Sequence, residues 1–214
     1  MRRVAVTGLG AISAAGRGWE ALWQAAMSGQ SGIKPIAFEH AQGNRILVGG
    51  SVVDFDPCEF IDEQTLRTCD RYTQFALVAA KEAIAHSGID PAELQGDRTA
   101  VIIGTGVGGI GTLDEGCRSY YGGLKFETFS VPRAMPSSAA SHISIAHGIT
   151  GPTFVVTSAC ASSAQAIGLA AMLVRSGVVD RVITGGAEAI RAATITASEL
   201  LPAIRSLLNQ LGRS

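Results

Sequence analysis

The stretch Phe154-Val155-Val156-Thr157-Ser158-Ala159-Cys160-Ala161-Ser162-Ser163-Ala164 decides how this chain is read. A β-favouring run leads into a cysteine, and small residues follow it. That order predicts a strand, Thr153–Thr157, turning directly into a helix with Cys160 at its first position. A thiol at the positive end of a helix dipole has a stabilised thiolate and is a nucleophile near neutral pH. No Asp, Glu, Lys or Arg lies between Ala134 and Val174, so the setting is expected to be buried. A core cysteine without chemistry is the alternative, since free Cys is among the most buried residue types.

The rest of the chain bounds the function class. A formal charge of −1 over 214 residues gives no basic surface for nucleic acid or anionic membrane. Hydrophobic residues make up 47% and charged ones 16%, which calls for a large or shared core. No run of 18 apolar residues is free of Gly, Ser, Thr or His, so no membrane span is expected. Arg3–Thr7 reads as a first strand, and the apolar stretch before Gly8 and Gly10 is too short for a signal peptide, which makes cytoplasm the expected location. Cys58, Cys69, Cys117 and Cys160 show no C-x-x-C spacing and no tight pairing with histidine, so neither a metal site nor a disulfide framework is expected.

Strands and helices alternate along the sequence. Trp19–Ser28 is amphipathic, Arg45–Val53 extended, and Asp54-Phe55-Asp56-Pro57 a turn. Tyr72–Ser87 has helical spacing and closes at Gly88; Thr99–Ile103 is a buried-type strand. Ser137–His147 reads as a helix ended by Gly148, and Arg181–Thr184 as a strand before Gly185-Gly186. Alternation of this kind predicts an α/β sheet with crossover helices. Ala161–Val174 is uncharged around its whole circumference, and such a helix has to be covered on all sides. A further layer is therefore expected from another domain or another chain.

Other motifs have competing readings. Gly104-Thr105-Gly106-Val107-Gly108-Gly109 matches G-x-G-x-x-G after a strand. A dinucleotide site also needs an immediate helix and an acidic residue about 20 positions on, at the end of a second strand. Here the next helix is expected only near Leu113, and Glu127 lies in a turn-like stretch, so a glycine turn lining a pocket is preferred. His142 and His147 are five apart, which puts them on different helix faces and disfavours a metal pair. Either could serve a Cys–His hydrolase; packed or surface histidines are the ordinary reading. Glu188, after a strand end, is read either as a site carboxylate or as a structural hydrogen-bond acceptor.

Five pieces then fall in order. Val4-Ala5-Val6-Thr7-Gly8-Leu9-Gly10, the Gly104–Gly109 run, Gly151-Pro152, Thr157–Ser162 and Gly185-Gly186-Ala187-Glu188 together resemble the decarboxylating β-ketoacyl-acyl-carrier-protein synthases. The resemblance runs from Arg3 to about Leu207. It implies a thiolase-like fold, with this chain as the N-terminal half of an αβαβα layered architecture, and reads residues 1–214 as one synthase N-terminal domain with 197–214 as an uncertain tail. It further implies that Cys160 takes an acyl chain as a thioester from acyl carrier protein, and that a malonyl thioester is then decarboxylated and condensed. No cofactor is implied. Val107 would lie near the acyl gate. Gly106 to Gly109, with Gly108 and Gly109 among them, would shape the pocket, the stretch from Phe129 to Met135 would lie near the acyl pocket and a dimer partner, and Glu188 would be structural near the site. Homodimerisation through the strand before the cysteine, or association with a C-terminal half, is expected. Relatives that act only as chain-length factors lack the nucleophile, and Cys160 argues against that branch.

One part of the family pattern is not matched. The resemblance implies two histidines from a C-terminal half, which stabilise the thioester oxyanion and the enolate. Here His40, His86, His142 and His147 all precede Cys160. Complete condensation is therefore not expected of this chain alone, and an inactive dimerising or carrier-binding module is the rival expectation.

Overall fold

A computed structural model describes residues 3–36 and 48–189. Near the N-terminus β1 (Ile12–Ser13) and β2 (Gly16–Arg17) form a two-residue hairpin, followed by α1 (Trp19–Ser28). Next come β3 (Lys34–Pro35) and β4 (Val48–Gly49), which pair antiparallel. The short α2 (Glu63–Leu66) precedes the long α3 (Arg71–Ser87) and β5 (Thr99–Gly104). Then follow α4 (Ile110–Tyr121), α5 (Ser130–Ala134) and α6 (Ser138–Ala146). The described chain closes with β6 (Thr153–Val156), α7 (Ser162–Ser176) and β7 (Arg181–Gly186).

The core is a parallel sheet in the order β6-β5-β7. All six residues of β5 are buried, because helices cover both faces of this central strand. Val101 and Ile103 point towards α3 and α6, where they meet Tyr72, Ala76, Ala80 and Ile143. Ile102 points the other way, to Ala166 and Ala170 of α7. Alternation along one strand thus joins three layers, and each buried Val or Ile contributes about 1.5–3 kcal/mol.

Local chemistry fixes the helix ends. Asp70 caps α3, its carboxylate accepting from the Tyr72 amide, and Gly88 ends the helix in the left-handed region at φ 68°. The other oxygen of the buried Asp70 accepts from both the amide and the hydroxyl of Thr112, at 3.0 and 2.6 Å. That carboxylate satisfies the first turn of α4, so the helix begins at Ile110 and not near Leu113.

Two further expectations need correction. Arg3–Thr7 is not a strand; it finds no ladder partner among the described residues, and its side chains are exposed. The segment after it is held by α3 instead. Leu9 and Ala11 donate their amides to His86 Nδ1 and Glu82 Oε2, and a Cβ on Gly8 or Gly10 would fall within 2.0 Å of an α3 carbonyl. Of the extended stretch expected over Arg45–Val53, residues 48 and 49 pair as a strand while 45–47 lie outside the described residues. The expected tail at 197–214 and His40 also lie outside them.

Candidate active site

The turn between β6 and α7 carries Cys160. Ala159–Ala161 forms one 3₁₀ turn, so Cys160 sits two residues ahead of the α-helix and not at its first position. Its side chain is exposed, which removes the buried setting expected for it and with it the core-cysteine reading. Ala159 has φ 51°, the one non-glycine residue with positive φ among the described residues. A side chain in that region costs on the order of 1–3 kcal/mol and persists only where its surroundings enforce it. The result is a sharp elbow that lifts Cys160 off the sheet end. α7 points its N-terminus at this elbow, and its first turn holds no acidic residue to offset the dipole.

Glycines let the elbow approach the sheet. A Cβ on Gly104, the last residue of β5, would lie 2.4–2.5 Å from backbone atoms of Ser162 and Ser163. One on Gly186, at the end of β7, would meet the Ser163 Cβ at 2.6 Å. Only bare backbone fits under the start of α7.

The glycine run beyond β5 is fixed by Glu188. Its Oε2 accepts from the Gly106 amide at 2.6 Å and from the Thr105 hydroxyl at 3.2 Å. The same hydroxyl, on a buried Thr105, accepts from the Gly108 amide at 3.1 Å. Glu188 therefore acts as an acceptor that sets loop geometry, while its exposed side also borders an open groove of about 400 Å³. Gly106 lies against both Glu188 and Ala159, so this loop and the cysteine elbow form one locus.

The expected pocket residues are placed unevenly. Gly108, at φ 61°, packs on Pro136, and Gly109 donates its amide to the Ala134 carbonyl. Phe129 and Met135 flank α5, whose Arg133 and Ala134 are what Gly109 packs on; both are exposed, as is Val107. The Met135 carbonyl accepts from the Tyr72 hydroxyl at 2.6 Å, which ties α5 to the core. Glu127 lies outside any strand and pairs with Arg133 at 3.3 Å, so the dinucleotide pattern is not completed even though α4 starts at once.

His142 lies on α6 and His147 at its end. His142 sits between the Ser138 carbonyl at 2.8 Å and the Thr68 hydroxyl at 2.9 Å. His147 ends α6, half-buried, and burial holds its pKa below the usual imidazole value. No group of three His, Cys, Asp or Glu among the described residues could hold a metal ion. Ala159, Thr105 and Ser162 were not singled out by sequence. An alanine gives no sign of left-handed backbone, and a serine among small helical residues reads as packing.

The chain is similar to known proteins over most of its length. The family model for the β-ketoacyl synthase N-terminal domain matches residues 1–206. The chain is 35% identical over 190 residues to 3-oxoacyl-[acyl-carrier-protein] synthase 2 of Staphylococcus aureus, covering 88% of this chain and 46% of that protein. It thus spans about half the length of the curated relatives it matches. Among solved structures, the ishigamide ketosynthase/chain length factor superposes with a TM-score of 0.85 at 26% identity, over 92% of this chain and 50% of that one. A type II polyketide synthase acyl-carrier protein in complex with its ketosynthase bound to the hexaketide gives 0.77 at 21% identity, over 91% and 53%. The fold is that of the thiolase-like ketosynthases, in its N-terminal half.

Proposed function

The chain belongs to the β-ketoacyl synthase family as an N-terminal domain, and from that membership we propose that it is the nucleophile-bearing half of a 3-oxoacyl-[acyl-carrier-protein] synthase. Its part of the reaction is acyl transfer. The Cys160 thiolate attacks the carbonyl carbon of an acyl thioester carried by acyl carrier protein, and the Cys160 amide donates to the oxyanion that forms. The carrier thiol leaves and an acyl-cysteine remains. The observation that carries this reading is the exposed Cys160 on a left-handed elbow at the dipole-positive end of α7.

Decarboxylation of a malonyl thioester and condensation need further oxyanion and enolate donors. A missing donor of this kind is worth about 2.7–4 kcal/mol of barrier, so a second, histidine-bearing half is required for the full cycle. Homodimerisation through β6 fits the same reading, because β6 pairs with β5 on one side and with no strand on the other among the described residues. Val107–Gly109, Phe129 and Met135 shape the acyl pocket. The expected location remains the cytoplasm; no helix among the described residues is long and apolar enough to cross a membrane.

The test is incubation with a radiolabelled acyl-carrier thioester, followed by peptide mapping. Label is expected on Cys160, without condensation when malonyl-carrier protein is added, and none is expected in Cys160→Ser. Label that survives Cys160→Ser removes the nucleophile. Carrier binding without label would favour the inactive binding module.

A further inference from the structure

We infer that Ser162 is a positioning residue for Cys160, and that its hydroxyl is what holds the nucleophile's elbow in its left-handed form. The inference rests on the reading of Cys160 as nucleophile. Ser162 is 3% exposed and opens α7. Its Oγ accepts from the Ser158 amide at 2.8 Å. Its single proton goes to the Ala159 carbonyl at 2.6 Å or to the Thr105 carbonyl at 3.2 Å. One hydroxyl thus joins the residue two before Cys160, the residue just before it, and the chain beyond β5.

The geometry gives this contact a specific task. Ala159 has a Cβ and, left to itself, would return to negative φ; that rotation would swing Cys160, the next residue, away from its present aim. Ser162 lies on the far side of Cys160 and closes the turn around it. The Ser158 hydroxyl, buried with no partner among the described residues, does not do so. Ser162 does not touch the reacting atoms. The step it serves forms a bond from the Cys160 sulfur to the acyl carbon and breaks the carrier's C–S bond. The carrier sulfur leaves as thiolate and takes up the proton that Cys160 lost.

The chain carries its own references for a test. Cys58 is exposed in the separate turn Pro57–Glu59, whereas Cys69 is buried and reports unfolding. Alkylation by isotopically labelled iodoacetamide, read per cysteine by mass spectrometry, gives the rate of Cys160 relative to Cys58. Ser162→Ala is expected to lower that ratio about tenfold at neutral pH, with a fall of roughly ten- to a hundredfold in acyl labelling, while Cys69 stays protected. Ser162→Thr, which keeps the hydroxyl, is expected to restore both to within about threefold of the parent. An unchanged ratio in Ser162→Ala overturns the inference. So does a change accompanied by Cys69 alkylation, or one shared equally by Ser162→Thr. If the parent chain takes no acyl label, the alkylation ratio still decides on Ser162. If it takes label and the ratio does not move, the nucleophile stands and the positioning role falls.

Discussion

Cys160 and Cys69 are the same side chain in opposed settings. Cys160 is open at the end of β6, while Cys69, 1% exposed, is sealed next to the α3 cap. Burial pushes the Cys69 thiol up from 9.0 to about 11. The folded chain therefore binds more protons than the unfolded one between these values, and stability falls as pH rises through about 9. Between pH 8 and 10.5 that loss is about 2 kcal/mol. Urea unfolding at the two pH values should show it in the parent chain, and a Cys69→Ala variant should lack that share of the drop. Nothing in the sequence distinguished these settings well: the uncharged stretch around Cys160 read as buried, and Cys69 stood out only for lacking metal or disulfide spacing. Exposure depends on which layer lies above a residue, and a linear stretch does not contain that layer.

At the scale of elements, the junction of β5 with α7 carries the site. Gly104 sits where a Cβ would lie 2.4 Å from the Ser162 carbonyl carbon, and backbone there has no side chain to move aside. Gly104→Ala is expected to cost more than 2 kcal/mol in stability and to lower acyl labelling of Cys160 at least tenfold, as measured by thermal unfolding and the labelling assay. Helices such as α1 and α3 were legible because their periodicity, with the Asp70 cap and Gly88 stop of α3, is written locally. Arg3–Thr7 was misread for the opposite reason. Its alternation of Val4 and Val6 suits a strand, yet a strand exists only where a neighbour supplies the ladder. The start of α4 was placed too late because its capping carboxylate, Asp70, comes from 42 residues away. Ala159 was illegible altogether, since its backbone is imposed by the turn around it.

At the scale of the molecule, α7 covers the sheet with Ala166 and Ala170 but leaves Ile167 and Met172 open, at 48% and 63% exposure. The uncharged circumference had predicted cover on all sides, and this chain by itself covers one. Together with exposed Val131, Tyr121 and Ile145 on other elements, these residues leave apolar surface that a lone chain does not hide. Sedimentation velocity is expected to show a dimer or larger species, and a monodisperse monomer would contradict that expectation. A last consequence concerns the order of synthesis. Glu82 accepts the amides of both Ala11 and Trp19, closing the N-terminal hairpin from α3. Trp19 precedes Glu82 by 63 residues, which a ribosome adds in roughly 3–13 s. Through that interval the nascent hairpin has no carboxylate to close on, so its docking waits until α3 has been made.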